Sequence, residues 1–404
     1  MPHPMEKRLH ISPGMRAMLD YPKFSGPTRL LILETEYFFD KSWVRAAESL
    51  DWAVATVSSA MTGGLTRDQV ASLFRTVAEF KPHFILTSNY AGMDEGGLFS
   101  RFFEDARIPY VSWFTDTPRM ILYNRVVHCS PYSVAATWER GYTAHLKSLG
   151  FEHVHFMPHA TDPGLFRGPA LETHTRELAF VGASMITHAE EAWEKLRAFP
   201  AISTAVREAL DSGRMSREQF AKGVETIIDP WLLGRCAPRE RRHLELCLVY
   251  EGTRRIRAAL ALRLAPLGLE VYGDPDWKDV HDRSFGDIGY FDALAPFYQS
   301  TAININSTSI QMASAVNQRV FDCPAAGGFL ITDAQDDLEE LFDPDAECIT
   351  YRSLDELVEL IARYRADAYE RRRVVAQAQA RIFAQHTHAH RLKSLEDYLR
   401  DRFA

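Results

Sequence analysis

Short apolar runs alternate with longer amphipathic stretches from residue 29 onwards. Arg29–Glu34 (RLLILE), Trp52–Val57, His83–Ser88 (HFILTS), Pro109–Phe114 (PYVSWF), Val134–Thr137 and Val154–Met157 are each four to six residues long. Runs of that length suit strands covered on both faces. Between them, Val70, Leu73, Phe74 and Val77 fall at helical spacing within Thr66–Phe80. Trp43–Leu50, Leu98–Ala106 and Arg140–Leu149 also read as helices, and Arg119–Val126 as helical or irregular. Residues 1–27 are proline-rich and weakly patterned, as a surface wrap would be. Strands alternating with helices predict an α/β chain with a doubly wound parallel sheet.

The second half repeats the alternation. Gly168–Thr175 is polar and reads as a linker. Glu177–Gly182 (ELAFVG), Leu269–Gly273 (LEVYG), Ala302–Asn306, Phe329–Thr332 and Cys348–Tyr351 predict strands. Tyr290–Gln299, Leu354–Tyr364, Arg371–Phe383 and His390–Phe403 predict helices. From about 190 to 264 the chain is helical and charged for longer than one crossover needs, which predicts a helical insertion. Arg239, Arg241, Arg242, Arg254, Arg255 and Arg257 within it read as solvated helix faces, or as a face contacting an anionic acceptor. The expected domains are 1–168, 169–385 with that insertion, and a final segment 386–404.

Asn304–Asp333 (NINSTSIQMASAVNQRVFDCPAAGGFLITD) carries the strongest local signal. It predicts a strand, a polar loop, a helix from about Ala315 to Ala325, a stop at Gly327-Gly328 and a second strand. Such a unit sets a loop and a helix N-terminus at the sheet edge where α/β proteins bind ligands. Hydroxyls, backbone N–H groups and the helix dipole there would suit phosphate. Arg319 and Asp322 share a helix face. A guanidinium fits a diphosphate and a carboxylate fits ribose hydroxyls. The same spacing also fits a surface ion pair.

Three first-half strands end in polar residues: Glu34-Thr-Glu36, Ser88-Asn89-Tyr90 and Thr115-Asp116-Thr117. Asp116 follows an aromatic strand and precedes Thr117-Pro118, so it sits in a defined turn. Facing a ligand, it could act as general base; otherwise it caps the next segment. Glu34 and Glu36 point the same way and could serve instead, or lie in a solvated turn. Gly182-Ala183-Ser184 directly follows a strand, and small residues there let backbone approach a phosphate or sugar. Gly63-Gly64 reads only as a turn, so no dinucleotide fingerprint is read.

Composition narrows the classes. The 404 residues suggest about two domains, with 46% hydrophobic and 25% charged residues as in ordinary globular proteins. A net charge of −8 argues against nucleic acid as partner. No apolar run approaches the roughly 18–20 residues of a membrane span, and the first residues lack a signal peptide's apolar core. The five cysteines are scattered without a C-x-x-C pair, as reduced thiols in a cytoplasmic protein would be.

The string Asn317–Asp333 (NQRVFDCPAAGGFLITD) resembles the segment "RVFE-A-ACGG-LLTD" of the CgeB-like, or spore maturation protein-like, glycosyltransferases. The resemblance continues at Trp113–Pro118 (WFTDTP), Pro158–Phe166 (PHATDPGLF), Asp337–Phe342, Tyr351 with Leu354–Leu360, and His386–Arg391 (HTHAHR), in family order over most of the chain. It implies a GT-B fold: two Rossmann-like domains facing across a cleft, with the final helix returning to the first. It implies a hexosyltransferase-type enzyme that uses a nucleoside diphosphate sugar as donor, with no cofactor and no metal. An acidic residue is common at the Asp116 position, and His159 would face the cleft or be structural. The implied donor set is Gly182, Ser184, Asn306, Ser309, Asn317, Arg319 and Asp322. The loop after Tyr272 and Gly273 would lie by the base, making these two and Trp277 candidates for contact; Trp277 could equally plug the domain. Asp322 matches the second of two glutamates eight positions apart in related retaining enzymes, but the first position is Ser314. The acceptor stays open: protein, polysaccharide or lipopolysaccharide, or small metabolite. A non-catalytic module of the same fold is the alternative, and an epimerase or phosphorolytic enzyme a smaller one. The alternation of His386, His388 and His390 lacks a metal site's spacing.

Overall fold

A computed structural model describes residues 12–35, 38–59, 66–94, 96–122, 125–213 and 215–404. The chain divides into two compact units. The first comprises Met1–Pro158 with His388–Ala404, and the second His159–Thr387. The first boundary thus precedes the 168 suggested by the polar linker.

The first unit is built on six parallel strands: β1 (Arg29–Glu34), β2 (Ala53–Ser58), β3 (Phe84–Ser88), β4 (Tyr110–Phe114), β5 (Ser133–Thr137) and β6 (His153–Phe156). Their spatial order is β2-β1-β3-β4-β5-β6. All residues of β3, β4 and β5 are buried, because helices cover both faces of a parallel sheet. The helix Arg67–Phe80 is opened by a capping box of Thr66 and Gln69, which satisfies two otherwise orphaned N–H groups. The final helix, His388–Phe403, belongs to this unit. Its Leu392, Leu395 and Leu399 pack with Phe39, Trp43 and Trp113. Glu396 accepts bonds from Thr28 and Arg400, and Arg391 Nε donates to Pro158 O at 2.9 Å.

The second unit holds β7 (Arg176–Val181), β8 (Glu270–Tyr272), β9 (Ser284–Phe285), β10 (Thr301–Ile305), β11 (Leu330–Asp333) and β12 (Ile349–Tyr351), in the order β12-β11-β10-β7-β8-β9. Two βαβαβ halves in that order make a Rossmann-like sheet. Its strand order reverses between β7 and β10, where such sheets bind ligands. The two-residue β9 carries too short a pattern to be read from sequence. The helices between β7 and β8 end in Pro238–Leu264, so the insertion is helical.

One expected helix is shorter than the pattern suggests. It spans Arg319–Ala325 rather than starting near Ala315. Side chains take the backbone groups a helix would need. Gln335 Nε2 donates to Met312 O and Ala315 O at 3.1 and 3.0 Å, and Asp333 accepts from Thr308 N and Oγ1 at 3.0 and 2.8 Å. The stop at Gly327 is steric: its φ is +94°, and a Cβ there would sit 2.3 Å from Pro169 O.

Candidate functional site

The second-unit site grows from two strand ends. β7 and β10 pair in register, Ile305 against Phe180, so Gly182 and Asn306 follow them side by side at the point of reversal. Asn306 is fully buried. Its Nδ2 donates to Thr332 Oγ1 at 2.8 Å, while its Oδ1 accepts from Asn317 Nδ2 at 2.8 Å and Arg319 Nη1 at 3.1 Å. Arg319 therefore lies over the strand ends. Its Nη2 would be 3.0 Å from a Cβ on Gly182, and its guanidinium carbon is 5.8 Å from the Phe180 ring centroid.

Arg319 and Asp322 form no ion pair, which removes the surface-pair reading. Asp322 is 2% exposed. Thr161 Oγ1 donates to its Oδ1 at 2.7 Å, and the Tyr290 hydroxyl to its Oδ2 at 3.2 Å. Burial pushes this carboxyl up to about 8; bonds from Thr161, Tyr290 and Gln318 pull down, and the Asp162 charge pushes up. Arg319 consequently meets no carboxylate within ion-pair distance among the described residues.

The turn after β7 is fixed from outside. Ser184 N and Oγ donate to Asp274 at 2.5 and 2.6 Å, and Trp277 Nε1 donates to Gly182 O at 2.7 Å. Gly273 must be glycine here, since a Cβ would lie 2.3 Å from Gly182 O. Trp277 and Tyr272 do not present free rings for stacking. Trp277 is 1% exposed and packs edge-on against Phe180. Tyr272 is wedged between Phe285 and Phe297, its hydroxyl bonded to Arg176 and Glu270. Phe285 is an exposed ring, stacked on Tyr272 at 4.9 Å. It lies on the strand the pattern missed. Ser309 Oγ meets Thr253 Oγ1 of the insertion at 2.9 Å.

Arg257 corrects the expectation of a solvated face. It is buried, and its Nη1 donates to Ala183 O at 2.6 Å. Its charge could not be placed from a helix so evenly dotted with arginines.

In the first unit, the strand order turns between β1 and β3. Asp40 accepts from Thr35 N at 2.6 Å and Ser88 Oγ at 3.3 Å, joining the two strand ends. Beside them Asn89 holds the turn after β4. Its Oδ1 accepts from Thr115 N at 2.9 Å, and its Nδ2 donates to Asp116 Oδ2 at 3.2 Å. Asp116 is half-buried. Asn89 itself takes a left-handed φ of +51°, which asparagine tolerates better than most residues. This orienting role of Asn89 was not read from sequence, although the polar strand end was. Glu36 and Gly63-Gly64 lie outside the described residues. His159 is 5% exposed and begins the second unit.

Among the described residues no three His, Cys, Asp or Glu side chains converge as metal ligands. His386 Nε2 bonds Leu341 O in the second unit, whereas His388 packs on Phe39 and Trp113 in the first. No described helix is long and apolar enough to cross a membrane.

Residues 252–397 match the glycosyl transferase-like family model. No curated protein matches the chain in sequence. Among solved structures, sucrose-phosphate synthase from Thermosynechococcus elongatus aligns over 92% of this chain and 99% of its own, at 10% identity and a TM-score of 0.53. HepE from Anabaena, in complex with UDP-glucose, aligns over 92% and 99% at 12% identity and a TM-score of 0.49. The chain thus has the two-domain, Rossmann-like GT-B fold and carries a glycosyl transferase-like segment over residues 252–397.

Proposed function

We propose that this protein is a glycosyltransferase that moves a sugar from a nucleoside diphosphate sugar to an acceptor hydroxyl. One observation carries the reading. Arg319 stands at the strand reversal of the second sheet, beside a rigid glycine turn, with its charge unmatched by any carboxylate among the described residues. An anion is the partner such a guanidinium lacks, and a diphosphate fits it bidentately. The glycosyl transferase-like match over 252–397 includes this segment and supports the same donor class.

In the reaction, the acceptor oxygen forms a bond to the sugar's anomeric carbon. The bond from that carbon to the diphosphate breaks, and the diphosphate leaves with the electron pair. Arg319 would stabilise the charge growing on it without a metal ion. The acceptor proton would pass to a carboxylate, for which Asp116, oriented by Asn89, is the candidate in the first unit. Asp322 is a different kind of group: buried and shifted toward its neutral form, it holds the helix of Arg319 to Thr161 and Tyr290. The free thiols of the five cysteines suit a cytoplasmic protein.

A panel of nucleotide sugars, incubated with the protein in chelator, tests this through release of nucleoside diphosphate. At least one donor should be turned over, by slow hydrolysis when no acceptor is supplied. If none is bound or cleaved, a non-catalytic module becomes the better description. Activity restored only by magnesium or manganese would overturn the metal-free part.

A further inference from the structure

We propose that the helical insertion completes the donor site: Arg257 of the helix Pro238–Leu264 supplies a second guanidinium for the donor's diphosphate. This rests on the donor reading of the second unit and extends it to a segment outside the two-sheet core.

The geometry converges on one turn. Arg319 reaches Gly182 from the start of the helix Arg319–Ala325, and Arg257 reaches Ala183 from the insertion, its Nη1 2.6 Å from the carbonyl. Four residues earlier on the same helix, Thr253 Oγ1 meets Ser309 Oγ at 2.9 Å and accepts from Ile310 N at 3.3 Å. One face of the helix thus braces both the turn after β7 and the polar loop after β10.

Arg257 is only 9% exposed, and among the described residues no carboxylate lies within ion-pair distance of it. The nearby carboxylates are engaged elsewhere. Asp274 is bonded to Ser184, and Asp333 to Thr308 and Arg217. Arg257 Nε has no hydrogen-bond partner, and neither has the buried Ser307 Oγ at the end of β10. Burying an unpaired guanidinium is costly, and placing it near a second one raises the cost. Burial first, then the charge of Arg319, pull Arg257 down to about 9, with Asp274 and Asp333 opposing. It remains a cation at neutral pH. Two cations and an idle N–H at one turn form a site that the two negative charges of a donor's diphosphate would balance. A structural role alone would need only the bond to Ala183 O, which a neutral donor could make.

The test is calorimetry on the full chain. The ligands are the nucleoside diphosphate that binds wild type best among UDP, GDP, ADP, CDP and dTDP, and its matching nucleoside. Arg257→Met should weaken the diphosphate by roughly tenfold to a hundredfold, the loss of a charge-assisted contact, and leave the nucleoside unchanged. Arg257→Lys should fall between. If Arg257→Met melts below the assay temperature, Arg257→Gln, which keeps a donor for Ala183, is put through the same comparison. Parallel loss of both ligands would reduce Arg257 to a brace for the turn and overturn the proposal. So would unchanged diphosphate affinity when Arg319→Met is weakened, and in that case the donor reading would stand. Absence of diphosphate binding to wild type would remove the donor reading itself, and this proposal with it.

Discussion

Replacing Asp322 by asparagine should flatten part of the protein's loss of stability as pH rises. The carboxyl is 2% exposed, and burial moves it from 3.8 to about 8. In the unfolded chain it ionises near its ordinary value; in the folded protein it keeps its proton until near pH 8. Between these limits the folded state holds the extra proton, so stability falls with rising pH by about 1.4 kcal/mol per unit. The contribution is fully present below pH about 4, is lost through the window, and is gone above pH about 8. Its ceiling over the window is on the order of 5 kcal/mol. Asparagine cannot ionise; its amide oxygen can still accept from Thr161, while its amide NH2 takes the place of the oxygen that Tyr290 meets and can donate to that hydroxyl. Urea unfolding of both proteins at pH 5, 7 and 9 isolates the effect, because other titrating groups cancel in the difference. Relative to wild type, the variant should gain at least about 2 kcal/mol between pH 5 and 9. A difference that stays constant across those pH values would refute the buried, proton-holding Asp322. It would also undercut the account of Arg319, whose charge is uncompensated because its helix neighbour is turned inward and near neutral.

Three further substitutions follow. Arg319→Met should cost about 0.5–1.5 kcal/mol of stability through its bond to Asn306, but about 1.5–3 kcal/mol of nucleoside diphosphate affinity; equal losses in melting and calorimetry would make it structural. Asp116→Asn should keep nucleotide affinity, since it can still accept from Asn89, while turnover falls by about 10²–10⁴-fold; wild-type turnover would move the search for a base to Glu34, Glu36 and His159. Gly273→Ala should destabilise by about 1–3 kcal/mol, because its Cβ would overlap Gly182 O, and should weaken nucleotide binding by moving the turn; an unchanged melting temperature and affinity would show that the turn yields freely.

The strands were legible because a parallel sheet buried on both faces leaves uninterrupted apolar runs, as in HFILTS and ELAFVG. Strand β9 was not, since two residues carry no period. Helix onset at Arg319 was misplaced because Ser307–Asn317 mixes helix-compatible residues with side chains that capture backbone groups, and only tertiary partners such as Gln335 and Asp333 decide between them. The polar ends of β3 and β4 were visible, but the bond that ties Asn89 to Asp116 joins residues far apart in sequence. Arg257 was indistinguishable from Arg254 and Arg255, which pair with Glu251 on the same helix. Around the helix, Arg257 lies about 60° from the ion-paired Arg254 and about 160° from Arg255. Tyr272 and Trp277 show the limit of reading aromatic residues near a sheet edge: one ends β8 and the other follows in the next turn, but packing against Phe297 and Phe180 consumes their rings.

The central claim is that the strand reversal between β7 and β10 holds a nucleoside diphosphate. A crystal structure of the protein soaked with the tightest-binding nucleoside diphosphate tests it most directly. The account predicts phosphate oxygens within about 3 Å of the Arg319 guanidinium, beside the Gly182–Ser184 turn. An ordered nucleotide bound elsewhere, with Arg319 still bonded only to Asn306 and its neighbours, would contradict it.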